Sequence, residues 1–258
     1  MNWFKPEDKW GIRILALLYG FMLCGAIVSH VLWQQAPLGG RWSASFLFVA
    51  GVLALVTSKR PDRVRLLMIG LLGFIAEVLG VRYGWLFGRY TYTEVLAPSF
   101  LDTPIVMICA WFILIGYVKQ LLLPLQYTPS IEACVGGAGM TIIDLLIDPI
   151  AAHPFDFWNW IDQGAYYGIP LHNFLGWFII SVILISFDQR LFKQQWQRNL
   201  WLQRIGLGIM LLYTCCAFGY GYWIAGGIGL GIIFTHGMLI VRGCKGWSLQ
   251  TARENVVN

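Results

Sequence analysis

Three carboxyl groups stand in stretches that are otherwise apolar: Glu77, Asp144 and Asp148. Asp148 follows Asp144 by four residues, which places both on one helical face with Asp148 a turn further along. Carboxylates that close resist double ionisation, and apolar surroundings disfavour the anion as well. The spacing therefore predicts that one of the three keeps its proton at neutral pH. A sheltered, protonated carboxyl is a general acid, and an ionised neighbour can orient a water. The plainer reading of each acid is a cap or hydrogen bond to a neighbouring helix.

Gly70, Gly73, Gly80 and Gly84 lie three and four residues apart on the face of Glu77, and Gly136, Gly137 and Gly139 give the Asp144 helix a similar small face. Small residues let helices approach closely, so these seams are expected to bring Glu77 and Asp144 together. Two aromatic segments, 82–92 and 155–168, adjoin the same helices. Tyr90, Tyr92, Trp158, Trp160, Tyr166 and Tyr167 are the candidate walls of a substrate pocket, although Trp and Tyr also favour membrane interfaces. Asp102, His172 and Asn173 are candidate polar supports at its mouth. Asp102, two residues before Pro104, also reads as a helix N-cap, and His172 follows Pro170 in a similar way. His236 stands isolated in the last apolar stretch. No H-E-x-x-H, nucleophile elbow, P-loop or dinucleotide fingerprint occurs, and neither a metal site nor a cofactor is expected. Six cysteines without C-x-x-C spacing read as buried, inert small residues.

The elements that must position these groups follow from hydropathy. Of 258 residues, 58% are hydrophobic and 12% charged, against about 25% charged in soluble proteins. Long uncharged stretches, each near the roughly 20 residues that cross a core of about 30 Å, exclude a soluble domain. The last, Ile205 to Val241, must fold back once, near the turn-forming Gly219-Tyr220-Gly221-Tyr222. The fold class is all-α, a polytopic transmembrane bundle of about eight spans near 11–33, 41–57, 64–83, 102–122, 131–152, 170–189, 202–220 and 223–241. Glu77 and Asp144 each fall roughly 20 Å from the inner end of an outward-running span. With the N-terminus inside, fifteen Lys and Arg lie on the cytoplasmic side and three (Arg41, Arg82, Arg89) outside, which favours cytoplasmic N- and C-termini. The net charge of +5 thus reflects topology and calls for no nucleic-acid partner. The first apolar run is too long for a signal peptide and offers no small-x-small cleavage site. Without internal repeats or low-complexity segments, residues 1–258 read as a single integral domain of a multi-pass cell membrane protein.

The runs Glu77-Val-Leu-Gly80, Phe87-Gly-Arg-Tyr90-Thr-Tyr92, Asp144-Leu-Leu-Ile-Asp148-Pro149, Trp158-Asn-Trp160 and Gly164-Ala-Tyr-Tyr167-Gly168-Ile-Pro170-Leu-His-Asn173-Phe-Leu-Gly176-Trp177 resemble the carotenoid biosynthesis family of carotenoid 1,2-hydratases. That family includes gamma-carotene 1'-hydroxylases and bisanhydrobacterioruberin hydratases. The similarity covers residues 65 to 185. It implies cofactor-independent addition of water across the terminal double bond of an acyclic carotenoid, a carbon–oxygen lyase type of reaction that gives a tertiary alcohol. The implied surroundings are the lipid bilayer and other carotenoid-pathway enzymes. In that chemistry Asp144 or Glu77 donates the proton and Asp148 orients the water. Three rivals stay open on the residues alone: a lycopene-cyclase-like protonation and cyclisation, a proton-coupled carrier for a small solute, and a pigment-binding protein without catalysis.

Overall fold

A computed structural model describes residues 9–257, with side chains from residue 10 to residue 240. Eight helices follow in order: α1 (Lys9–Trp33), α2 (Trp42–Thr57), α3 (Arg60–Tyr83), α4 (Met107–Leu122), α5 (Pro129–Ala152), α6 (Leu171–Leu191), α7 (Leu200–Gly219) and α8 (Trp223–Val257). The polytopic helical bundle expected from hydropathy is what the chain forms. Seven helices are long and apolar enough to cross a membrane. The exception is α2, whose 16 residues span only about 24 Å; α4 is as short but continues through a 3-10 turn to Leu125, which brings it to 19 residues. Large apolar side chains such as Leu17 and Phe21 of α1 and Phe234 of α8 stand exposed on the outside of the bundle, as a bilayer-facing surface requires. Of the cations counted above, Lys5 and the side chains of Lys9, Arg242, Lys245 and Arg253 lie outside the described residues, as does that of Cys244.

Helix ends follow local signals. Proline occupies the first turn of α3 and α5, where its missing N–H costs nothing. Gly84 closes α3 in the left-handed conformation at φ 66°, its N–H on the Gly80 carbonyl. The Asn199 side chain caps α7 by accepting from the N–H groups of Trp201 and Leu202. The turn between α7 and α8 falls at Tyr220–Tyr222, with Gly221 at φ 81°, where the sequence placed it.

Packing inside a bilayer rests on close contact more than on the hydrophobic effect, and α4 is the most enclosed of the spanning helices: its Trp111, Ile113, Ile115 and Tyr117 are wholly buried. The glycine seams act differently from expectation. In α3, Gly73 and Gly70 receive α4, since a Cβ there would come within 2.3 Å of Trp111 and 2.6 Å of the Ile108 carbonyl, while Gly80 makes room for Phe87 and Tyr90 and Gly84 for Arg89. Those of α5 mainly receive α6, with Ile185 against Gly136 and Val182 against Gly137. The seams thus build the pairs α3–α4 and α5–α6, and other elements bring the acids together.

Those elements are short strands in the loops at one end of the bundle, here the aromatic end. β1 (Tyr90–Tyr92) precedes the hairpin of β2 (Ser99–Phe100) and β3 (Thr103–Pro104), all between α3 and α4, and β4 (Trp158–Trp160) lies between α5 and α6. β1 pairs antiparallel with β4, Tyr90 opposite Trp160 and Tyr92 opposite Trp158. The fourth helix begins at Met107, five residues later than expected, because residues 99–104 form the hairpin. Asp102 is therefore no N-cap: with Leu101 it makes a two-residue turn in which both have positive φ, the geometry of a tight hairpin. Two smaller corrections concern side chains. All five described cysteines are free, but only Cys216 is buried, while Cys24 and Cys134 are exposed. His236 is not isolated, since its Nδ1 lies 2.9 Å from the Tyr117 hydroxyl.

Candidate active site

A two-stranded ribbon alternates its side chains, and here the alternation serves the acids. Tyr90 and Tyr92 point inward from β1 and both donate to Glu77 Oε2, Tyr92 at 2.9 Å. Trp158 and Trp160 do the same from β4, their Nε1 groups donating to Asp148 Oδ1 at 2.8 and 3.2 Å. Thr91 and Asn159, between them, are exposed. The ribbon thus lays four aromatic donors across two carboxyls that belong to different helices.

Helix α6 completes the link. Asn173, 2% exposed, donates through Nδ2 to Asp144 Oδ2 and Asp148 Oδ2, each at 2.7 Å. From α4, Trp111 Nε1 donates to Glu77 Oε1 at 3.0 Å. Glu77, Asp144 and Asp148 are all buried, and no ion pair among the described residues includes any of them. Glu77 and Asp148 each accept from three neutral donors, whereas Asp144 accepts from one. Burial, followed by the neighbouring Glu77 carboxyl, pushes the Tyr90 and Tyr92 hydroxyls well above their ordinary pKa, so both remain donors across the physiological range.

Between the acids lies a cavity of about 20 Å³, lined by Glu77, Asp148 and Asn173 among Phe87, Tyr90, Tyr92, Met107, Trp158, Trp160 and Trp177. That is room for one water, which needs about 10–15 Å³ and a few polar partners. Trp177 stacks on Trp111, ring centroids 4.6 Å apart and 12° from parallel. Among the described residues no group of three His, Cys, Asp or Glu side chains is arranged to hold a metal ion.

Of the residues singled out in the sequence, Glu77, Asp144, Asp148, Tyr90, Tyr92, Trp158, Trp160 and Asn173 come together here. Four others lie elsewhere. Tyr166 donates to the Leu145 carbonyl at 2.8 Å, the group that Pro149, lacking an N–H, leaves without its helical partner. Tyr167 secures the same loop, its carbonyl 2.8 Å from His153 Nε2 and its hydroxyl accepting from the Ile224 N–H. His172 is half-exposed, 4.0 Å from Asp162. Asp102 sits at the surface, 3.6 Å from Arg82. The sequence reading missed Trp111 and Trp177, although a signal exists: both stand well inside spans, away from the interface that usually holds tryptophan, and a buried indole N–H needs a partner.

Comparison with known proteins gives the chain a family. The family model described as carotenoid biosynthesis protein matches residues 40–241, which contain the whole cluster. A bisanhydrobacterioruberin hydratase of Haloarcula japonica is 28% identical over 197 residues, covering 72% of this chain and 66% of the relative, just under two thirds of its length. No solved structure matches. With most of its length matched, the chain belongs to the carotenoid biosynthesis protein family.

Proposed function

We propose that the protein is a cofactor-independent hydratase of the cell membrane that adds water across the terminal double bond of an acyclic carotenoid. The observation that carries this reading is the meeting of three buried carboxyls, served only by neutral donors, two of which, Glu77 and Asp148, line a cavity the size of one water.

The donor counts redistribute the roles. Asp144 and Asp148, one helical turn apart, share one proton that rests on Asp144, the acid with a single donor, while the Asn173 amide holds both carboxyls in place by donating to each. Asp148 faces the cavity and passes that proton to the terminal carbon–carbon bond at C2, leaving a tertiary cation at C1. The faces of Trp177, Phe87 and Tyr90 stand by to stabilise it. Water attacks C1 and loses a proton to Glu77, whose three donors suit it to the ionised form. Return of that proton to the aspartate pair closes the cycle, and the net change is one water added. Because the resting cavity fits one water, the end group enters only when the wall parts. The ribbon lies across both acids, and its strands come from two separate loops. Asp102, His172, Tyr166 and Tyr167 then support the loops around the site.

The test is expression in a host that accumulates lycopene or a similar acyclic carotene, with pigments analysed by mass and polarity. The expected product is heavier by one water and more polar, and Glu77→Gln or Asp148→Asn, inserted at normal level, abolishes it. A new pigment of unchanged mass points to cyclisation instead. Undiminished product from both variants contradicts the assignment.

A further inference from the structure

The helix pairs α3–α4 and α5–α6 meet along a seam between α3 and α6. At the basic end the seam is closed by Arg65 of α3 beside Asp188 of α6. At the aromatic end the space is filled by a residue that belongs to neither helix, Phe87 of the loop after α3. A Cβ at Gly80 of α3 would come within 2.7 Å of one edge of its ring, and a Cβ at Gly176 of α6 within 2.9 Å of the opposite edge. The ring is thus wedged in a slot between two glycines of different helices, 2% exposed, and it also lines the cavity of Glu77 and Asp148.

Between these two closures the seam is apolar and open to the bilayer. Gly176, Ile180, Ile183 and Phe187 share one face of α6, and although Ile180 is buried, Ile183 and Phe187 are exposed. On α3, Leu72 and Leu79 follow Arg65 at two-turn intervals, on the stripe that meets α6. Both are half-buried, and Ile75 between them is exposed. The loop that carries the wedge is under strain. The Phe87 N–H donates to the Trp85 carbonyl at 2.8 Å across Leu86, whose φ of 69° belongs to a rare and strained three-residue turn. Strain of this kind collects at clamps and switches. A wedge on a strained turn, with the reactive cavity on one side and an apolar seam on the other, has the form of a door.

We propose, resting on the reading of the carboxyl site as a carotenoid hydratase, that Phe87 is the door through which the substrate enters from the side. An acyclic carotene has no polar group and stays in the hydrocarbon core, so its end group arrives between helices. Phe87 swings aside and relaxes the turn at Leu86, and the end group passes between Gly80 and Gly176 to the acids. The slot is as wide as a phenyl ring, room for a polyene chain, which runs on along the seam past Leu79, Ile75 and Ile183. The displaced ring still flanks the end group, where its face meets the cation.

A photoreactive benzophenone side chain is placed at Ile75 or Ile183 on the seam, or at Ile142, exposed on α5 and off the seam. The carrier is Glu77→Gln protein in vesicles with lycopene, so that the pigment is not consumed, and adducts are read by mass after illumination. The expected yield at Ile75 and Ile183 is at least fivefold that at Ile142. Phe87→Ala, which empties the slot, raises it severalfold, and Phe87→Leu, the gentler change should the first variant fail to insert, raises it about twofold. Equal yields at all three positions, no adduct on the seam, or a yield indifferent to both Phe87 variants overturns the proposal. Seam adducts in a protein that makes no heavier pigment uphold the door and refute the hydration, whereas hydrated product without seam adducts refutes the door alone.

Discussion

Both ends of the bundle bury acidic side chains, and they treat the charge in opposite ways. At the basic end, Asp62 and Asp188 flank the buried Arg65 at 3.4 and 3.7 Å, and Glu132 meets Lys119 at 2.5 Å. Arg65 also lies over the rings of Phe192 and Trp196. At the aromatic end, Glu77, Asp144 and Asp148 meet phenols, indoles and one amide, and no cation. A carboxylate fixed beside a cation is stable as an anion and gives up nothing. One served by neutral donors can hold or release a proton, because no opposite charge commits it. The first arrangement ties helices together, and the second suits chemistry on a substrate with no charge of its own.

The sharpest way to break the comparison is to make the aromatic end resemble the basic one. Asn173→Lys sets a cation between Asp144 and Asp148, and we expect an inserted protein whose pigment conversion falls at least 100-fold, within the ~10²–10⁴ that general acid–base catalysis contributes. Product near the wild-type level from that variant contradicts the role of uncompensated acids. The converse change, Arg65→Met, leaves Asp62 and Asp188 buried without their partner. Removing one member of a buried pair costs about 3–5 kcal/mol, so the yield of folded protein and the melting temperature drop sharply. Conversion per folded molecule is expected to persist.

Smaller changes sharpen the contrast. Gly73→Ala drives a Cβ into Trp111 and loosens its bond to Glu77. Overpacking of this kind costs about 1–3 kcal/mol, measurable as a lowered melting temperature together with slower conversion. The smallest effect belongs to the surface pair that ties the two aromatic loops, Arg89 and Asp162 at 2.8 Å. Hydrogen bonds from Arg89 hold the Asp162 carboxyl below the usual carboxylate range. Its contribution is therefore fully present above an unfolded value of about 3.9 and is lost as pH falls through the lower folded value. Melting curves of wild type and Asp162→Asn, compared from pH 7 to pH 3, are expected to keep a constant small gap down to about pH 4 and to converge below it. A gap that closes between pH 7 and pH 5 contradicts that reading.

The two ends also differ in how far the sequence disclosed them. Spans and the acids within them were legible because a charged residue inside an apolar run is costly wherever it points, and Glu77, Asp144 and Asp148 break their runs conspicuously. The ribbon was not legible. Tyr-Thr-Tyr and Trp-Asn-Trp alternate with period two, but three residues are too few to distinguish a strand from interfacial aromatics, and pairing across 65 residues or more leaves no local trace. The same shortness hid the 99–104 hairpin and made Asp102 look like a cap. The pairing at the basic end was hidden for another reason. Arg65 and Lys119 sit near predicted span ends and entered the charge count as cytoplasmic residues, yet they are 1% and 4% exposed. Their acidic partners come from other helices, beyond the reach of a sequence window.

The central claim is that a carboxyl at the aromatic end stays protonated in neutral solution because no cation attends it. Infrared spectroscopy of the purified protein at pH 7 measures this through the carbonyl stretch of a carboxylic acid, which is distinct from the carboxylate bands and shifts on hydrogen–deuterium exchange. The account predicts such a band in the wild type, lost in Asp144→Asn and retained in Glu77→Gln. Carboxylate bands alone in the wild type, or an acid band unaffected by Asp144→Asn, contradicts it.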